Sequence, residues 1–101
     1  MPKIYEYFGL IFFFYSKDHI PIHVHVSYGE YESKLELVYK NGILTGILIK
    51  KVKGKKPLPP KLLADAEKFA KVKEKGITKK WLEFFGKNQN SPKFERITKK
   101  V

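Results

Sequence analysis

Residues 31–49 constrain the fold of this chain more than any other stretch. Between Tyr31 and Tyr39 the side chains alternate. Tyr31, Ser33, Leu35, Leu37 and Tyr39 fall on one side, and Glu32, Lys34, Glu36 and Val38 on the other. That is the period of a half-buried antiparallel strand with one wet face. Lys40-Asn41-Gly42 follows. Asn-Gly is the strongest short-range hairpin signal, because both residues tolerate the positive φ of a type I′ turn. Residues 43–49 then return as the second arm, and a hairpin of this length needs a larger sheet to sit in.

The strands upstream supply it. Residues 3–8 carry Ile4, Tyr5, Tyr7 and Phe8, all of high β propensity. Gly9 punctuates, and residues 10–15 form a nearly continuous apolar and aromatic run. Such a run reads as a central strand or one covered on its second side, and it is too apolar to be a wet base-stacking platform. Ser16-Lys17-Asp18 breaks it with turn formers, and a strand over residues 22–27 follows. On that strand Ile22, Val24 and Val26 point one way, and His23, His25 and Ser27 the other. His19 precedes it, in a loop stiffened by Pro21.

Beyond the hairpin the pattern changes. Residues 50–56 are a charge run holding Gly54, and Pro57-Leu58-Pro59-Pro60 ends it, which reads as a linker. Pro60 suits a first helical turn. Leu62, Ala66, Phe69, Ala70 and Val72 then recur at helical spacing. Gly76 is expected to close this helix, with Ile77 packing back on Val72. Thr78 is expected to cap a second helix over residues 79–85, with Ile77 stapled to Leu82 and Trp81, Leu82 and Phe85 facing inward. The expectation is an α+β fold: a five-stranded, mostly antiparallel meander sheet followed by two C-terminal helices packed on one face. One domain covers residues 1–86, with the sheet over 3–49, the linker over 50–60 and the helices over 61–85. Residues 87–101 are expected to form a mobile tail.

Composition narrows the partners. The chain of 101 residues has no cysteine, so a disulfide framework is excluded and a metal site would need His and oxygen ligands. That suits a reducing, cytoplasmic setting. Met1-Pro2-Lys3 runs straight into a strand pattern without a signal peptide, and the apolar run over residues 8–15 is too short to span a bilayer. No membrane partner is expected. Lys and Arg number 21 against 10 acidic residues, a net charge of +11, and all but Arg96 are lysine. Lysine attracts polyanions without reading sequence, whereas base readout and bidentate phosphate clamps favour arginine. Lys51, Lys53, Lys55 and Lys56 are the candidate nucleic-acid contacts. The plain alternative is a solvated, lysine-rich surface of the kind thermophilic proteins carry.

Several segments resemble a small prokaryotic family catalogued as domain of unknown function forty-one sixty. They are Pro2-x-Ile4, Gly9-Leu10-Ile11-Phe12, Phe14-Tyr15-Ser16, Asp18-His19-x-Pro21-x-His23-Val24-His25-Val26 and Tyr28-Gly29-Glu30-Tyr31. The likeness is close over residues 2–50 and looser up to Trp81. Members commonly carry glutamate where Asp18 stands, and residues 50–60 and the tail past Gly86 depart more. The resemblance implies a compact α+β protein without an established reaction. It also implies an operon of toxin–antitoxin type, since members are often encoded beside another small protein.

All three histidines of the chain lie within seven residues, His19, His23 and His25. Three readings compete for them. In the first they bind zinc or another transition metal, two imidazoles coming from one strand face and the third ligand from the loop. In the second they do metal-free acid–base chemistry on RNA, one imidazole taking a proton as another gives one. In the third they fix a loop through hydrogen bonds, while the sheet binds a partner protein encoded alongside or a second copy of the chain. His19, His23 and His25 are the candidate catalytic and metal-ligating residues in the first two.

Overall fold

The computed structural model describes residues 2–17, 20–86 and 91–101. The strands are β1 (Lys3–Tyr7), β2 (Leu10–Phe13), β3 (His23–Tyr28), β4 (Tyr31–Lys40) and β5 (Ile43–Lys51). Two helices follow, α1 (Pro60–Val72) and α2 (Glu74–Phe85), and a short strand β6 (Glu95–Ile97) comes last. The sheet order is β5-β4-β3-β2-β1-β6. The first five strands pair antiparallel with their chain neighbours, so the expected meander is present.

Three tight turns set its register. Phe8 and Gly9 at φ 45° and 86° close β1 onto β2, and Asn41 and Gly42 at 55° and 79° close β4 onto β5. Both are two-residue loops with two positive φ values, whose twist matches that of the strands they join. Gly29, at φ 59°, opens the β3–β4 loop, and Tyr28 pairs with Tyr31 across it. At Gly9 a side chain would also collide, since a Cβ there would stand 2.8 Å from the Tyr28 ring.

The core lies between one face of the sheet and the helices. Phe69 of α1 is fully buried, its ring 5.4 Å from Tyr5, 4.7 Å from Tyr7 and 4.7 Å from Phe12. Truncating such a residue costs about 3–5 kcal/mol. Val24, Val26, Leu35 and Leu37 complete that face, and Phe14 meets Trp81, Phe84 and Phe85 of α2. Pro60 is the first residue of α1, as its fixed φ favours.

Four expectations need correction. The sheet has a sixth strand, drawn from the segment 87–101 read as a tail. β6 pairs parallel with β1, Tyr5 opposite Glu95 and Tyr7 opposite Ile97. It is held by Lys80, which is only 5% exposed and donates to Lys93 O at 2.7 Å and Glu95 Oε1 at 2.9 Å. A buried ammonium needs such acceptors, and a segment poor in apolar residues gives no sign of them.

Second, Gly76 does not end a helix. The break falls at Lys73, and Gly76 sits in the first turn of α2, where a Cβ would overlap the Tyr5 hydroxyl. Glycine is there for a close approach and not for a turn. Third, Val72 and Leu82 are exposed, while Ile77 is fully buried, so neither proposed partner of Ile77 faces the core. Fourth, the linker expected over residues 50–60 is shorter and is paired, since β5 runs to Lys51, α1 starts at Pro60 and Lys56 bridges to Tyr31. Lys55 N–H donates to Val52 O, Glu32 N–H to Lys56 O at 2.8 Å, and Leu58 N–H to Ser33 Oγ at 3.1 Å. The segment is pinned along β4 before it enters α1.

Candidate functional site

Strand alternation sends Val24 and Val26 into the helix-side core and His23 and His25 to the opposite face, the arrangement expected from the sequence. Both histidines are buried, at 5% and 6% exposure. Their ring centroids are 5.3 Å apart with planes inclined at 73°. Aromatic neighbours supply much of the cover: Phe13 and Tyr15 around His25, at 5.6 and 4.4 Å, and Trp81 beside His23 at 5.1 Å.

Each imidazole has an oxygen near Nδ1. His23 Nδ1 donates to Pro21 O at 2.8 Å. His25 Nδ1 stands 3.2 Å from Glu32 Oε2, an oblique approach outside hydrogen-bond geometry. The same carboxylate oxygen accepts the Tyr15 hydroxyl at 2.9 Å. At His23 the Pro21 carbonyl favours the tautomer with its proton on Nδ1 and its lone pair on Nε2. That is the form which accepts a proton or ligates a metal through Nε2. Glu32 is itself 5% exposed, so its charge acts where water screens it little.

Glu32 and Tyr15 are the site residues that the sequence reading missed. Alternation along residues 31–39 predicts a wet face for Glu32, Lys34 and Glu36, yet Glu32 is buried. The signal was available in the β3–β4 loop. With only Gly29 and Glu30 between Tyr28 and Tyr31, Ser27 must face Glu32 and His25 must face Lys34. Glu32 is then the diagonal neighbour of His25, within reach of long side chains.

Of the three sequence-predicted residues, the structure brings His23 and His25 together, while His19 lies outside the described residues. Among the described residues no three His, Asp or Glu side chains gather as metal ligands. The candidate lysines all follow from β5. Lys51 ends that strand, Lys53 and Lys55 lie in the turn beyond, and Lys56 Nζ is 3.3 Å from Glu30 Oε2. The backbone bond from Glu32 to Lys56 ties this basic segment to the strand that holds the His25 partner.

The family described as Domain of unknown function (DUF4160) matches residues 9–82. This chain belongs to it. The match runs from the β1–β2 turn through Leu82 and includes both histidine strand positions, Tyr15 and Glu32. No curated protein and no solved structure matches the chain. Among the described residues no helix is long and apolar enough to cross a membrane.

Proposed function

We propose that this is a small protein of toxin–antitoxin type whose site is the His23–His25 pair, and that the pair does acid–base chemistry on RNA. The observation that carries this reading is the pair of oxygens at Nδ1, Pro21 O for His23 and the Glu32 carboxylate for His25. Two adjacent imidazoles can divide the work, a neutral one taking a proton from a ribose hydroxyl while a protonated one gives its proton to the leaving oxygen. Glu32 offsets the positive charge that His25 gains on taking a proton, and Tyr15 holds Glu32 in place. The lysines beyond β5, tied to Glu32 through Lys56, supply attraction for the phosphate backbone. The toxin–antitoxin setting, with its cytoplasmic location and small partner protein, rests on the family resemblance.

A second reading shares the same observation. Imidazoles whose Nδ1 is held by a carbonyl or a carboxylate are also arranged as metal ligands are, with zinc or another transition metal on Nε2 and His19 as the third ligand. One assay separates the two: RNA cleavage across pH 5 to 9, with and without chelator. It is run on the wild type and on His19→Ala, His23→Ala and His25→Ala. Acid–base chemistry gives a bell-shaped profile that survives chelator and is lost in His23→Ala and His25→Ala. A metal site gives activity that chelator removes and zinc restores. Absence of cleavage in every arm overturns the acid–base reading, and absence of saturable zinc binding in calorimetry overturns the metal reading.

A further inference from the structure

The two edges of the sheet are unlike. β6 is three residues long and carries Glu95 and Arg96, the sort of short, charged edge that discourages further pairing. β5 has nine residues, roughly 30 Å at the usual rise, and among the described residues only β4 pairs with it in the sheet. From Ile43 to Ile49 it holds neither a charge nor a proline. Ile43 is 69% exposed, Leu48 50% and Ile49 43%. A long, uncharged edge with its apolar side chains in water is a template for another strand.

The charges around it describe that strand. Lys50 lies directly opposite Lys34 across the ladder, and Lys51 follows it. Like charges directly opposite one another are unfavourable, and a carboxylate on the next strand would relieve them. A second copy of this chain brings no carboxylate from its own β5 and adds another net +11, so charge opposes self-pairing. We infer that β5 is a docking edge for an extended segment of a partner protein, alternating apolar and acidic residues, which adds to the sheet as a seventh strand. The apolar side chains of the guest cover Ile47 and Ile49 on the face shared with Leu37 and Leu35, and its carboxylates meet Lys50 on the face shared with Lys34. The inference names a surface for the partner of the toxin–antitoxin reading. It stands on the edge alone and needs nothing from the histidines.

The test uses a synthetic peptide alternating glutamate and valine, titrated into the full chain. Binding is followed by fluorescence anisotropy, and amide exchange is followed residue by residue. The expected result is saturable binding that slows exchange within residues 43–51. Binding should weaken at least tenfold in Lys34→Glu/Lys50→Glu, which lie opposite one another on the acidic face of the guest, and in Ile49→Lys on its apolar face. Lys61→Glu/Lys68→Glu on α1 removes the same charge elsewhere and should change it less than threefold. Protection spread over other lysine faces, or equal weakening by both charge reversals, overturns the inference. So does absence of binding, or a dimer of the chain in sedimentation with β5 protected. The cleavage assay is independent, so either proposal can fail without the other.

Discussion

Tyr5 is where single atoms matter most. Its ring packs edge-on against Phe69, the ammonium of Lys80 lies 5.0 Å from its ring centre, and its hydroxyl takes the space a Gly76 side chain would need. Gly76→Ala should therefore destabilise the protein by roughly 1–3 kcal/mol through overpacking, although alanine is the better helix former. Adding Tyr5→Phe should recover most of that loss, which a double-mutant cycle from denaturant unfolding would measure. Burial, with the Glu95 carboxylate as a lesser cause, pushes the Tyr5 hydroxyl from 10.0 up to about 12. A raised folded value means that the folded state holds the proton longer than the unfolded chain. This contribution to stability is thus complete below pH 10 and is lost as pH rises towards 12. Tyr5→Phe should flatten the fall in stability over that window in urea titrations.

At the scale of elements, β6 and the segment after it matter more than their length suggests. Lys80 binds Lys93 O and Glu95 Oε1, Ile97 packs against the core, and Val101 N–H donates to the Tyr7 hydroxyl. Deleting residues 91–101 should cost on the order of 2 kcal/mol, since hydrogen bonds to a charged group are the larger part of what is lost. Thermal unfolding would read this as a drop of several degrees for a chain of this size. Lys80→Met in the truncated chain should give part of it back, because the lysine has then lost its acceptors. A melting temperature unchanged by truncation would mean that β6 contributes nothing to the fold. At the other end of the sheet Tyr39 donates to Glu74 Oε2 at 2.5 Å and shares a hydrogen bond with Thr78 Oγ1 at 2.6 Å. The end of β4 is tied in this way to the first turns of α2. Burial first, and the Glu74 hydrogen bond second, push the Tyr39 hydroxyl above its usual range, so this tie also weakens in alkali.

For the whole molecule the governing quantity is charge. With +11 carried almost entirely by lysine, affinity for a single-stranded oligonucleotide should fall linearly with salt on logarithmic axes, with a slope near −0.7 per phosphate neutralised. Reversing Lys51, Lys53, Lys55 and Lys56 together should make that slope shallower by more than the same number of reversals on α1 and α2. Filter binding at several salt concentrations is enough to see it. Equal effects from both sets would mean that the charge acts as a diffuse field and the segment after β5 has no special part.

What the sequence determined by itself was local. Period-two alternation marks β4 and the histidine strand, Asn41-Gly42 marks the hairpin, and Pro60 with the spacing of Ala66, Phe69 and Ala70 marks α1. Each signal lies within a few residues of what it specifies, where backbone sterics and side-chain direction leave few choices. The pairing of His23 with His25 was legible for the same reason. The link from His25 to Glu32 was one step further, readable only through the length of the Gly29–Glu30 turn. Only the tertiary structure decided the rest: that Gly76 yields to Tyr5, that Lys80 is buried against Glu95, and that the last strand runs parallel beside the first. These contacts join positions far apart in the chain, Tyr7 and its partner Val101 being 94 positions apart. No local periodicity encodes such a contact, because it exists only once the sheet and helices have fixed where each surface lies.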